Sequence, residues 1–292
     1  GNESGGWANQ DYCYEKLKKL DSQTPIHYEG VSRNRRWRYD VISEMYTSTE
    51  KLEKYAAKKL AGKYYSAPYF LCEYAHSMGV GPGSLNKYWE IMESTPTSMG
   101  GCIWEWADHT VLEKDGVYTY GGDHGEYAHD SNFCVDGLLT PDRQLSTSAY
   151  EMRCVYRPIK ASYVSNNKYS LKNTNFFADT SNLIFKWEYT QNGEILASGN
   201  FTAIILPERS LDVHLKHPLL NTSKDCFLNL YYIDAKTGIE MAREQLTLCL
   251  SVDRLAKIES ANVACIEENG KYKIATNNGN IIFDKESGQL LS

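Results

Sequence analysis

Two fold classes in one chain are what this sequence predicts: an α/β first half on parallel strands, then an antiparallel all-β second half. As far as residue 157, short apolar strand signals alternate with amphipathic helix signals. That order builds a parallel sheet, open or closed into a barrel. From Pro158 onward, period-two alternation recurs across tight turn signals, which is how an antiparallel sandwich reads. Bulk composition agrees with a folded chain: 292 residues, 42% hydrophobic and 23% charged, with 21 Gly and 8 Pro. The length suggests two or three domains.

The elements follow in order. Residues 1–5 read as the end of a strand. Cys13, Leu17 and Leu20 then fall at helical spacing, with Lys16, Lys18 and Lys19 on the polar side. Residues 24–28 read as a short strand. Thr47 to Glu50 has the capping-box pattern, opening a Lys- and Ala-rich helix expected to end near Gly62. Tyr69-Phe70-Leu71-Cys72 is a short apolar run of the kind buried on both faces of a sheet. Leu85, Tyr88, Trp89 and Met92 stand at i, i+3, i+4 and i+7, an amphipathic helix. Gly101-Cys102-Ile103-Trp104 is another buried strand.

Beyond Pro158 the period changes. Phe185, Trp187 and Tyr189 alternate with Lys186 and Glu188, and Asn192-Gly193 is a hairpin signal before a returning strand at 195–198. Leu228, Leu230 and Tyr232 form one alternating run; Leu246, Leu248, Leu250 and Val252 form another, with Lys236-Thr237-Gly238 as a turn between them. Last come Tyr272-Lys273-Ile274 and Ile281-Ile282-Phe283 around Asn277-Asn278-Gly279, two strands that cannot make a domain by themselves.

Charge excludes several function classes. Lys plus Arg is 31 and Asp plus Glu is 37, a formal charge of −6 without a block of one sign. Neither nucleic acid nor an anionic membrane surface is an expected partner. No apolar run is long enough to span a bilayer. The eight cysteines, Cys13, Cys72, Cys102, Cys134, Cys154, Cys226, Cys249 and Cys265, form no C-x-x-C pair. Buried free thiols in a reducing compartment are therefore expected. The 22 Tyr and 6 Trp suit sugar-stacking surfaces and sheet cores alike.

Chemistry is expected where parallel strands end, because sites of α/β sheets lie at the strands' C-terminal ends. Glu3 and Glu73 each follow a strand signal and precede a helix. Two facing carboxylates are what glycoside hydrolysis needs, one to give a proton and one to attack or to stabilise the sugar cation. On residue type alone, helix capping or pairing with Arg accounts for such Glu residues equally well.

Longer strings decide between these readings. Gly1-Asn2-Glu3-Ser4-Gly5, Cys72-Glu73-Tyr74-Ala75-His76-Ser77-Met78-Gly79 and Gly100-Gly101-Cys102-Ile103-Trp104-Glu105-Trp106-Ala107-Asp108 closely resemble the β-galactosidases of glycoside hydrolase family two. Matches continue through Tyr120-Gly121-Gly122-Asp123 and Asn132-Phe133-Cys134. The resemblance implies a partial (β/α)8 TIM barrel, followed by an Ig-like antiparallel sandwich and the first strands of a further β domain. The corresponding boundaries are 1–157, 158–255 and 256–292.

By the same resemblance, Glu3 is the general acid/base and Glu73 the nucleophile of a retaining hydrolase of terminal β-D-galactosides. Asn2 binds the sugar 2-hydroxyl, Tyr46 hydrogen-bonds the nucleophile, His76 binds substrate and Trp104 floors the sugar site. The two catalytic carboxyls should then lie roughly 5 Å apart. Glu105 and Asp108 are given structural roles.

The resemblance also implies Mg2+ and Na+. Of the magnesium ligands this chain has Glu3 alone, a partial site. The sodium ligands would be the Phe133 carbonyl and Asp136, which stands where the family has Asn. Residue 1 falls at the end of a fourth barrel strand, so the resemblance implies the catalytic-half fragment of a longer, homo-oligomeric enzyme. Such a piece is expected to be weakly active or inactive and to self-associate through an open barrel edge. A cytoplasmic location is expected, with a periplasmic one open because the true start of the polypeptide is not in view. The rival readings are another β-glycosidase specificity and a non-catalytic carbohydrate-binding or assembly fragment.

Overall fold

The computed structural model describes residues 1–30, 39–59, 67–216, 220–221, 223–251, 264–276 and 279–291. The expected helix end at Gly62, the strand residue Val252, the turn residues Asn277 and Asn278 and the 255/256 boundary lie outside these residues. Compact packing divides the chain into two units. Gly1–Glu188, Ser198–Lys216 and Asn229–Leu246 form the first; Tyr189–Ala197, His217–Leu228 and Thr247–Ser292 form the second.

A parallel sheet of three strands organises the α/β part: β1 (Ile42–Met45), β2 (Tyr69–Tyr74) and β3 (Ser98–Ile103), in that order. Helix α1 (Ala8–Leu20) precedes β1, α2 (Thr49–Ala56) joins β1 to β2, and α3 (Leu85–Glu93) joins β2 to β3. Leu52 and Tyr55 of α2 and Leu85 and Met92 of α3 meet Ile42, Tyr69, Leu71 and Tyr74 in one buried cluster. The 3.6-residue period of both helices is thus spent on covering the sheet. In both strand pairs the register slips near the C-terminal end, between Glu44 and Met45 and between Leu71 and Tyr74. Such irregularities re-aim side chains, and these occur where the strands deliver Tyr46 and Glu73.

Three local expectations fail. Residues 1–5 form no strand, because Glu3, Gly5 and Gly6 take positive φ values of 56°, 93° and 81° and turn the chain. Residues 24–28 form none either: Pro25 has no N–H to give, and the Ile26 N–H goes to the Asp40 carboxylate at 2.8 Å instead of a ladder. The helix cap lies one residue later than read. Ser48, not Thr47, accepts from the Lys51 N–H at 3.3 Å, and α2 ends at Ala56. Helix α1 has the expected period but buries none of its residues.

A short hairpin of β4 (Val111–Leu112) and β5 (Tyr118–Thr119) precedes helix α4 (Thr147–Val155), which Ser146 caps through the Ala149 N–H. Then come β6 (Ile159–Ser165), β7 (Lys168–Asn173), β8 (Leu183–Gln191), β9 (Glu194–Phe201), β10 (Ser210–His214), β11 (Cys226–Asp234) and β12 (Glu240–Cys249). One sheet has the order β10-β7-β6, all antiparallel; another has β12-β11-β8-β9. Cys226, Leu228, Leu230 and Tyr232 of β11 are all buried, as their alternation requires. Asn192 and Gly193, at φ 47° and 86°, supply the two left-handed residues of the turn between β8 and β9.

The last sheet holds β13 (Ala264–Glu268), β14 (Lys271–Thr276) and β15 (Gly279–Asp284), one strand more than the pattern showed. All eight cysteines are free, as expected, but only Cys226 is buried. Cys13, Cys102 and Cys265 are exposed, which corrects the expectation of buried thiols. Among the described residues no helix is long and apolar enough to cross a membrane.

Candidate active site

Glu73, near the end of the middle strand β2, is buried, and both of its carboxylate oxygens are taken. The Asn2 amide donates to Oε1, and the Tyr46 phenol donates to Oε2 at 2.9 Å. The Tyr46 N–H also reaches the Glu73 carbonyl at 2.8 Å, so backbone and side chain of the two residues are fastened together. Burial first, then the Glu73 carboxylate, pushes the Tyr46 phenol well above its ordinary pKa, which keeps it a proton donor.

Asn2 comes into reach because residues 27–29 hold the first segment. The Glu29 N–H donates to the Gly1 carbonyl at 2.9 Å, and the Ser4 N–H donates to the Tyr28 phenol at 2.8 Å. Glu3 beside it is exposed and makes no side-chain hydrogen bond among the described residues.

A second cluster lies against Tyr46. The His76 ring is 5.8 Å from the Tyr46 ring on one side and 5.8 Å from the Phe133 ring on the other. His76 Nδ1 accepts from the Met78 N–H at 3.3 Å, so Nε2 carries the proton of the neutral ring, 3.7 Å from Asp136 Oδ2. The Trp104 indole N–H donates to the same Oδ2 at 3.0 Å. Asp136 is buried, and its Oδ1 has no hydrogen-bond partner among the described residues.

The loop bearing Asp136 fits closely beside Trp104 because residue 137 is glycine. A Cβ there would lie 2.3 Å from the Ala107 carbonyl carbon and the Asp108 nitrogen. Asp108 receives the Gly137 N–H at 2.8 Å, a fastening role. Glu105 lies beside Asp136. Burial first, then the Asp136 carboxylate beside it, pushes its pKa up, against the pull of His109.

Of the side chains given substrate or catalytic roles in the sequence, Asn2, Tyr46 and Glu73 form one cluster and His76 and Trp104 join Asp136 in an adjoining one, while Glu3 makes no side-chain hydrogen bond among the described residues. Sequence reading missed Asp136 as the acceptor of the Trp104 indole, since 32 positions separate them and no spacing rule joins them. It also missed Glu44, whose carboxylate lies two residues before Tyr46 in three hydrogen bonds.

A buried carboxylate near the end of one parallel strand, Glu73, and an indole just past the next, Trp104, stand where sites of α/β sheets lie. The family comparison agrees. Residues 1–161 match the family model "Glycosyl hydrolases family 2, TIM barrel domain", and residues 169–248 match "Beta-galactosidase, domain 4". The chain belongs to glycosyl hydrolase family 2.

Its relatives include a beta-galactosidase of Actinobacillus pleuropneumoniae, 33% identical over 307 aligned residues, which cover 99% of this chain and 30% of that protein. A beta-galactosidase of Priestia megaterium is 31% identical over 310, covering 100% of this chain and 29% of the relative. This chain thus spans about three tenths of the length of the curated relatives it matches. Superposed on a Bacteroides uniformis beta-glucuronidase, 82% of this chain aligns with 30% of that one at 14% identity and a TM-score of 0.34, a likeness that carries no argument.

Proposed function

We propose that this chain carries the catalytic carboxylates of a retaining β-galactosidase. One observation carries the reading: Glu73 is buried at the end of the middle parallel strand with a donor on each carboxylate oxygen, Asn2 on one and Tyr46 on the other. That grip leaves an attacking carboxylate with little freedom to turn away from a sugar C1, which is what nucleophilic displacement asks for.

In this reading Glu73 attacks the anomeric carbon while Glu3, free of side-chain partners among the described residues, protonates the departing oxygen. Glu3 then takes a proton from the water that cleaves the galactosyl-enzyme ester. Trp104, with its indole N–H held by Asp136, offers a fixed face for the sugar. His76 Nε2–H and the Asp136 carboxylate add one donor and one acceptor for sugar hydroxyls. The family relatives support galactose; the substrate is terminal β-D-galactosides of the lactose type.

The domain reading extends the same proposal. Residues 1–157 would be later strands and helices of a (β/α)8 barrel, 158–255 an Ig-like sandwich and 256–292 strands of a further β domain. Among the described residues no group of three His, Cys, Asp or Glu could hold a metal ion, so none there joins Glu3 to complete a magnesium site. Sodium fits better, because Asp136 Oδ1 is a buried oxygen without a hydrogen-bond partner among the described residues. Asp136 and the Phe133 carbonyl would hold it, and a bound cation would supply a fixed positive charge for sugar hydroxyls.

The test is covalent trapping with an activated 2-deoxy-2-fluoro-β-galactoside in the protein as its gene encodes it. Mass spectrometry should find the label on Glu73, and Glu73→Gln should lose both label and turnover. Label on another carboxylate would overturn the assignment, and faster turnover of a glucuronide or mannoside than of a galactoside would overturn the substrate.

A further inference from the structure

Three donors converge on one oxygen of Glu44. Its Oε2 accepts from the Thr47 hydroxyl at 2.7 Å, the Tyr69 phenol at 2.7 Å and the Lys51 ammonium at 2.5 Å. The Thr47 and Tyr69 hydroxyls are themselves 3.1 Å apart. The donors come from three separate places: the residue after Tyr46, the first turn of α2 and the start of β2. Burial would raise the Glu44 pKa, but Lys51, Tyr69 and Thr47 together outweigh it and hold the carboxyl below its ordinary range.

Tyr46 sits inside this clamp, two residues after Glu44 and one before Thr47. Its φ of +51° is left-handed, a conformation that an L-residue with a bulky side chain keeps only where its surroundings over-determine it. On the far side the Thr47 carbonyl accepts from the Tyr88 phenol at 2.9 Å. The strand register slips between Glu44 and Met45, and past the slip the Tyr46 N–H bonds the Glu73 carbonyl at 2.8 Å, which leaves the turn at Tyr46 to be held from the Thr47 side.

We infer that Glu44 is a positioning residue: by tying Thr47, Lys51 and Tyr69 together it holds Tyr46 in its left-handed turn and keeps the phenol on the Glu73 carboxylate. The inference rests on the reading of Glu73 as nucleophile and Tyr46 as its donor. Its partners Thr47, Lys51 and Tyr69 tie the Glu44 carboxylate to Tyr46 through the chain at Thr47.

A double-mutant cycle separates this role from a merely structural one. The variants are E44A, E44Q, Y46F and E44A/Y46F in the protein as its gene encodes it, with kcat and KM measured on a chromogenic galactoside. E44A should lower kcat roughly tenfold and leave KM within about twofold. E44Q should lose less, because an amide oxygen still accepts from Thr47 and Tyr69. In the Y46F background E44A should cost nothing further. A full additional tenfold loss there, or an E44A kcat equal to wild type, would overturn the inference while leaving the site reading intact. A Y46F enzyme with unchanged kcat would instead overturn the site reading beneath it. Should E44A not fold, E44Q in the same cycle decides: its loss must also vanish beside Y46F.

Discussion

His27 lies with its ring edge-on to Phe70, centroids 5.4 Å apart at 88°, and its Nε2 is buried without a hydrogen-bond partner among the described residues. Burial pushes its pKa down from 6.5 to about 4. A depressed histidine stabilises the fold fully above the unfolded value. That contribution fades as pH falls through the folded value, since protonation then favours the unfolded chain. The melting temperature should therefore drop more steeply between about pH 7 and pH 4 in the wild type than in His27→Gln. Screened for a half-exposed ring, the difference should be about 1 kcal/mol. Parallel slopes for the two proteins would show that this histidine does not set the acid limit. Residues like His27 are opaque in sequence, because a lone imidazole carries no sign of whether its nitrogen will meet water. Glu73, His76 and Trp104 were legible for the opposite reason, as members of contiguous strings. Their shared partner Asp136 was legible only as a sodium ligand by resemblance.

At the scale of elements, period alone decided what could be read. Strand β11 buries every second residue from Cys226 to Tyr232, β8 buries Leu183, Phe185 and Tyr189 with Trp187 half-buried between them, and both were legible from alternation, as was α3 from its i, i+3, i+4, i+7 stripe. β6 and β7 were not, because Lys, Ser and Asn fill much of their length and leave a weak period-two signal. Nor could sequence show how α4 is fastened. Arg153 reaches Glu240 at 2.5 Å, and Arg157, just past the helix end, reaches Glu244 at 3.1 Å, both on β12. The Glu244 carboxyl is almost fully buried and also receives the Tyr232 phenol and, at 2.9 Å, the Ala161 N–H. Burial pushes its pKa up against the pull of Arg157. Removing one member of a buried pair leaves an uncompensated charge, so Arg157→Ala should destabilise the first unit by about 3 kcal/mol. Arg157→Met with Glu244→Met should cost clearly less, because no charge is left stranded. Urea unfolding of the three proteins gives the order. A double variant as weak as the single one would mean that packing, not charge, accounts for the loss.

For the whole molecule, the sheet that carries Glu73 decides what the chain does alone. Among the described residues it has three parallel strands with β1 and β3 at its edges, extended by a single parallel bridge from Ala107 to Leu139. A closed (β/α)8 barrel needs eight strands, and closure is what fixes strand ends around a common mouth. With three, the segment around Glu3 is held by contacts of Gly1 and Ser4 with residues 27–29, by Asn2 on Glu73 and by the Gln10 amide on the Ser4 carbonyl. Apolar side chains of this part are exposed, Leu20 at 85% and Met99 at 56%. Open edges and bare apolar faces are invitations to pair with another copy. On the proposed roles, with Glu3 as the acid, the purified 292-residue chain is expected to turn over a chromogenic galactoside at least ~10²-fold more slowly than its full-length relatives, because a misplaced acid would forfeit most of the proton-transfer term. It is also expected to run above 33.2 kDa in light scattering, with the excess mass falling on dilution. Relative-like turnover by a species of monomer mass would show that three strands hold Glu3 and Glu73 as well as eight do.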